Sequence, residues 1–150
     1  MTSELPHCSR GEIWLLDWNP RRGSEPGVRA GLRLALTRGS KGGPREQSEQ
    51  AVPPYEAGGF RPGIIVQSDL GNHAIGARTT IMVPLTTQGR AYAFYVPVPK
   101  AKENGLPADS WANATQVFTV DKSRLAKRLG KATPAQMKAL AVVVTAVFDL

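Results

Sequence analysis

Residues 60–72, FRPGIIVQSDLGN, followed after a short polar turn by TTIMVPLTT at 79–87, decide how the rest of the chain is read. Residues 64–66 and 81–83 are short, mostly β-branched apolar runs bounded by Gly, Pro, Asp and Asn, the pattern of two neighbouring buried strands. The ends of these runs are polar. Arg61 lies just before the first, Asp69 and Asn72 follow it, and Thr86, Thr87 and Gln88 come directly after the second. Two adjacent antiparallel strands joined by a turn set the start of one beside the end of the other. Arg61 and Thr86 are therefore expected to converge on one cationic spot.

Upstream of this pair, residues 12–18 read as a first, central strand, with Ile13, Trp14, Leu15, Leu16 and Trp18 nearly all apolar and Asn19-Pro20 as its stop. Residues 21–27 form a polar, Gly-flanked loop that carries Ser24 and Glu25 and, by itself, need be no more than a solvated turn. Over residues 28–59 the pattern breaks. Leu32, Leu34 and Leu36 alternate with Arg33, Ala35 and Thr37, which suits a strand or a turn or two of helix, but residues 37–59 have the Gly, Ser, Pro, Gln and Glu content of a mobile loop.

Downstream, residues 80–85 continue the second apolar run, and 92–99 form an aromatic, Val-rich strand whose prolines place it at an edge or bulge. Residues 111–115 and 116–120 supply one or two more strands. The segment 121–129 is ambiguous: Asp121 can cap a basic helical turn closed by Gly130, while Leu125 and Leu129 also suit a turn leading into a strand. The last element is a helix. Thr133-Pro134-Ala135-Gln136 is a capping box with Pro in the first turn, and Met137, Leu140, Ala141, Val144, Val147 and Phe148 then recur at helical spacing.

With 150 residues, the chain predicts one domain with one core. Its 15 Gly and 12 Pro argue for many turns and short strands, hence a small antiparallel β-barrel with a C-terminal helix. Nineteen Lys and Arg against 12 Asp and Glu leave a net charge of +7, which suits a polyanionic partner and equally suits a solvated basic surface. The single cysteine, Cys8, excludes an intramolecular disulfide and agrees with a reducing compartment. Cys8 and His7 lie in a polar stretch of about nine residues that reads as a disordered end, with no further residues to complete a zinc site. The apolar run at 139–148 is about half a bilayer span, and no signal-peptide core precedes the first strand, so a cytoplasmic protein without a membrane segment is expected.

Six segments carry a family resemblance: RGEIWLLDWNP (10–20), GSEPG (23–27), FRPGIIVQSDLGN (60–72), TTIMVPLTTQ (79–88), ADS (108–110) and FTVDKSRL (118–125). Each is short, but they stand in the order found in the MazF/PemK/Kid toxins of bacterial toxin-antitoxin systems, and the chain resembles that family. Residues 28–59 have no counterpart there. The resemblance implies an SH3-like antiparallel β-barrel and a type II toxin that cuts single-stranded RNA as a metal-independent endoribonuclease with no cofactor. It also implies a homodimer neutralised by an acidic antitoxin, and it places Ser24 and Glu25 in a loop bordering the active site.

The residues suit that chemistry. RNA cleavage can use the substrate's own 2′-hydroxyl as nucleophile, so the protein has to position the phosphate, offset its growing charge and assist proton transfer. Arg61 provides a bidentate, permanently charged clamp, and Thr86 a hydroxyl hydrogen bond to the same phosphate. Glu25 is the candidate base, since His7 and His73 lie in polar surroundings that leave them solvated. Ser24, Asp69, Asn72, Thr87, Gln88 and Gln116 are the candidates for contacts to RNA, chiefly to unstacked bases, with Trp18 or Tyr92 stacking and Asn72 equally a turn former. Where the Kid-like branch has a histidine at the position of Ser24 and an aspartate immediately before the glutamine matched by Gln116, this chain has Ser24 and Thr115. That departure favours the MazF branch. A CcdB-like gyrase inhibitor and a non-cleaving SH3-like nucleic-acid module are the competing readings of the same barrel.

Overall fold

A computed structural model describes residues 4–18 and 59–150. The expectations for Ser24, Glu25 and the insertion before Gly59 lie outside the described residues. The elements are β1 (Glu12–Asp17), β2 (Phe60–Ile65), a one-turn α1 (Asp69–Asn72), β3 (Thr79–Thr86), β4 (Tyr95–Val98), β5 (Ser110–Asn113), β6 (Phe118–Asp121), β7 (Leu125–Lys131) and α2 (Pro134–Val147). Short 3₁₀ turns at Ala114–Gln116 and Lys122–Arg124 precede β6 and β7.

All strand pairs are antiparallel. The sheet order is β4-β5-β3-β2-β1-β7, with β6 also on β3. The path β7-β1-β2-β3-β6 therefore curls round until its two ends are joined by the Lys122–Arg124 turn alone. No ladder pairs β6 with β7 among the described residues, so the barrel is brought together by the chain and not by a closed ring of hydrogen bonds. This is the mainly β, barrel-like fold with a C-terminal helix that the turn-rich composition predicts.

Successive residues of a strand face opposite sides of a sheet, and here both sides are buried. Trp14, Leu16, Ile65, Met82, Val120 and Leu125 draw on all five curled strands and form the barrel interior, with Trp18 and Phe118 packed against them. Ile13, Ile64, Val83, Leu85, Val96 and Val98 form the other layer, covered by Leu140 with Met137, Val143, Val144 and Val147 of α2. The helix starts at the expected capping box: Thr133 Oγ1 accepts from the Gln136 N–H at 3.1 Å and Gln136 Oε1 accepts from the Thr133 N–H at 2.9 Å. Among the described residues no helix is long and apolar enough to cross a membrane.

Three expectations need correction. The N-terminal stretch is not a disordered end from residue 4 onward: Cys8 is fully buried in the barrel interior and the His7 ring stacks on His73 with centroids 4.5 Å apart. His73 Nε2 donates to the Cys8 carbonyl, a group that can only accept, at 3.0 Å, and lies 3.1 Å from Ser9 Oγ. The second strand begins at Phe60 and not at residue 64, because β1 offers ladder partners down to Asp17, opposite Phe60, whatever the side-chain pattern. Gln116 belongs to a 3₁₀ turn, and the ambiguous segment proves to be both alternatives in succession. Asp121 caps a turn by accepting from the Ser123 N–H at 2.9 Å, and the chain then enters β7, which runs through Gly130.

Candidate active site

The β2–β3 ladder ends at Gly63↔Pro84, and Arg61 and Thr86 each stand two residues beyond it, at the same end of the strand pair. The two also share a face. Val83 and Leu85 point to the helix-covered layer and Met82 to the barrel interior, which puts Thr86 on the interior side. A Cβ added at Gly63 would meet Leu16 and Met82 of the interior, which puts Arg61 on that side as well. Side chains on one face at the same end of a strand pair, one of them a long arginine, are placed to reach a common phosphate. Arg61 is exposed and Thr86 half-buried, at one mouth of the barrel.

Thr86 is held in one orientation. Its Oγ1 accepts from the Gln88 N–H at 3.1 Å, so the hydroxyl proton is left to donate elsewhere. The turn that makes this bond exposes Thr87 and Gln88 and then lies against Trp111, the β5 partner of Thr86. Tyr92 is exposed on the following loop, edge-on to Tyr95 at 5.6 Å. Trp18 packs on Phe118 at 4.8 Å, in the wall of the mouth. Gln116 is half-buried in its 3₁₀ turn, whose start is fixed by Asn113 accepting from the Thr115 N–H at 3.1 Å.

The chain leaves β1 at this same mouth and returns to it. The Trp18 N–H donates to the Gly59 carbonyl at 2.9 Å, so the loop that carries Ser24 and Glu25 is attached beside Arg61. Arg124, 8% exposed, donates to the Asp17 carbonyl at 3.0 Å and secures the exit of β1.

Asp69 and Asn72 are not at this mouth. Asn72 is 2% exposed: its Oδ1 accepts from Thr80 Oγ1 at 2.7 Å and Gln67 Nε2 at 3.0 Å, and its Nδ2 donates to the Gln67 carbonyl at 3.0 Å and Asp69 at 3.1 Å. Thr80 is six residues from Thr86 along β3, or about 20 Å at the rise of a strand. Asp69 accepts from the Arg10 N–H at 2.7 Å, and this bond, with that from Asn72, holds its carboxyl below the usual range. Both residues tie α1 to the N-terminal stretch and to β3, and the buried Lys122 adds a hydrogen bond from Nζ to the Asn72 carbonyl at 2.6 Å. Among the described residues no three His, Cys, Asp or Glu side chains form a group that could hold a metal ion.

Beside Thr86 the structure also brings Gly89 against Trp111, a contact that nothing in either local sequence pattern marks.

Known proteins bear on this arrangement. The chain is 27% identical over 135 residues to Endoribonuclease MazF9 of Mycobacterium tuberculosis, covering 87% of each chain. Its fold is similar to that of an endoribonuclease solved in complex with its cognate antitoxin from a mycobacterial species, with a TM-score of 0.60, 20% identity and 95% and 96% of the two chains covered. It is also similar to MazF from Deinococcus radiodurans, with a TM-score of 0.60 at 17% identity over 99% of this chain and 100% of that one. The model of the PemK-like, MazF-like toxins matches residues 9–148, a span that takes in both Arg61 and Thr86 and the whole of the curled sheet. The protein therefore belongs to the PemK-like, MazF-like toxins of type II toxin-antitoxin systems.

Proposed function

We propose that this toxin, an endoribonuclease by family and by likeness to MazF9, cuts single-stranded RNA without a metal ion through the Arg61–Thr86 pair. The 2′-hydroxyl of the nucleotide preceding the scissile bond attacks its own 3′-phosphate. A bond forms from that oxygen to phosphorus and the bond to the 5′-oxygen breaks, leaving a 2′,3′-cyclic phosphate and a free 5′-hydroxyl. The 2′ proton passes to a base, for which Glu25 is the candidate, and a proton is delivered to the departing 5′-oxygen. Arg61 offsets the charge that grows on the non-bridging oxygens, and the Thr86 hydroxyl donates to one of them. The observation that carries this reading is the placement of Arg61 and Thr86 on one face at the same end of the β2–β3 pair, with Thr86 Oγ1 held by the Gln88 N–H.

Ser24, Thr87, Gln88 and Gln116 are assigned to contacts with the RNA, and the exposed Tyr92 to stacking, because splayed bases offer both hydrogen-bonding edges and flat faces. Asp69 and Asn72 are assigned to the scaffold. The test is cleavage of a single-stranded RNA in EDTA by the wild type, Arg61→Ala and Thr86→Ala. Each variant should cut slower by about a hundredfold or more with its fold intact, since each acts on charge that develops in the transition state. Loss of wild-type activity in EDTA that Mg²⁺ restores would refute the metal-free mechanism, and normal cutting by both folded variants would refute the site.

The partner reading is a cytoplasmic homodimer neutralised by an acidic antitoxin that competes with RNA for the same cationic mouth. The net charge of +7 supports it, as does the fold shared with an endoribonuclease solved with its cognate antitoxin. Light scattering that gives a strict monomer at micromolar concentration would remove the dimer. An acidic partner peptide that binds without displacing RNA would remove the shared groove.

A further inference from the structure

We infer that Gly89 and Trp111 are positioning residues that aim the Thr86 hydroxyl, an inference that rests on the phosphate clamp proposed above. Thr86 and Trp111 are facing partners in the β3–β5 ladder, and Trp111 faces Pro97 of β4 in turn. A row therefore crosses one side of the sheet from Thr86 through Trp111 to Pro97.

Three residues past Thr86 the chain returns onto this row. A Cβ built at Gly89 would lie 2.2 Å from both Cβ and Cγ of Trp111 and 2.4 Å from its Cδ1, so the backbone at residue 89 rests directly on the indole. Gly89 is not among the glycines with positive φ, so the close approach, and not the backbone conformation, demands glycine here. The turn is thus fixed at both ends, by the ladder at Thr86 and by the indole at Gly89. Between them the Gln88 N–H occupies a lone pair of Thr86 Oγ1. Rotation of the side chain to another rotamer would break that bond, so the turn sets where the Thr86 hydroxyl lies. Arg61 needs no such device, because a guanidinium has several donors, whereas a hydroxyl has one.

A methyl at position 89 would fall more than an ångström short of the 3.4 Å at which ordinary contact begins, so the turn would have to lift off Trp111. A displacement of that size at a catalytic group is enough to lower the rate about a hundredfold. The expectation is therefore a loss of rate with binding retained.

The test measures single-turnover cleavage of an RNA oligonucleotide, and binding of its 2′-deoxy analogue by fluorescence anisotropy. Gly89→Ala and Trp111→Ala should cut about tenfold to a hundredfold slower while binding within about twofold of wild type. Trp111→Phe keeps the Cβ and ring edge on which residue 89 rests and should cut near the wild-type rate. The double variant Gly89→Ala/Trp111→Ala should be no slower than the slower single one, because both changes release the same turn. If Gly89→Ala does not fold, Trp111→Ala and Trp111→Phe decide the matter alone. Wild-type rates in the single variants while Thr86→Ala is impaired would overturn the positioning role and leave the clamp standing, as would losses that multiply in the double variant or binding that weakens in step with rate. Wild-type cutting by Thr86→Ala would overturn the clamp and this role with it.

Discussion

Replacing Asn72 with alanine should destabilise the protein by about 2 to 4 kcal/mol and leave the chemistry untouched. The side chain makes four hydrogen bonds, and one of its partners, Thr80, is fully buried. Removing the amide deletes bonds worth about 1 kcal/mol each net and strands the Thr80 hydroxyl, whose unmet desolvation adds about 1 to 3 kcal/mol. Some of this is recovered. Gln67 is half-buried and can turn to water, and the Thr80 hydroxyl can turn to the Cys8 sulfur beside it, a weak acceptor. For a chain of this size the net loss should lower Tm by about 5 to 12 °C. Because Thr80 stands about 20 Å along β3 from Thr86, cleavage of a short RNA at a temperature where the variant is folded should stay within about twofold of wild type. Denaturant unfolding with matched cleavage assays checks both halves. A variant as stable as wild type that has lost cleavage or changed its sequence preference would show that Asn72 reads RNA and that its network is incidental.

The hydrogen bond from Arg10 and that from Asn72 lower the Asp69 carboxyl below 3.8, so their stabilisation is full above that value and is lost as pH falls through the lower folded one. The Tm gap between wild type and Asp69→Asn should narrow as pH falls from 5 to below about 4; a gap unchanged from pH 5 down to pH 2 would mean that these bonds do not distinguish the carboxylate. Burial pushes the Cys8 thiol up, with the nearby Lys122 charge acting in the opposite direction. Iodoacetamide at pH 8 should therefore label Cys8 only as fast as the N-terminal stretch opens, and labelling as rapid as that of a free peptide would refute its packing. Since the Trp18 N–H reaches the Gly59 carbonyl at 2.9 Å, replacing residues 28–58 with a short Gly-Ser turn should keep the fold and the cleavage of a short oligonucleotide, while changing affinity or preference on longer RNA. Unfolding of that variant would make the Leu32, Leu34 and Leu36 alternation part of the core.

The sequence by itself determined the elements whose signals are local. The capping box at Thr133–Gln136 and the apolar spacing beyond it decide α2, because a helix satisfies its backbone within one segment. The apolar runs at 64–66 and 81–83 mark β2 and β3, and the antiparallel geometry of neighbouring strands was enough to bring Arg61 towards Thr86. Family membership was also legible, through short segments in a fixed order. What the tertiary structure decided depends on partners distant in the chain. Strand ends follow the ladder and not the side-chain pattern, which is why β2 starts at Phe60 and why Gln116 falls in a turn. His7 and Cys8 look like a polar end until α1 brings His73 under them. Asn72 looks like a turn residue open to RNA until Thr80 and Gln67 close around its amide. Gly89 and Trp111, 22 residues apart in the chain, meet only because β5 pairs with the end of β3. No local pattern records such a contact, since the space that glycine leaves is defined by a side chain on another strand.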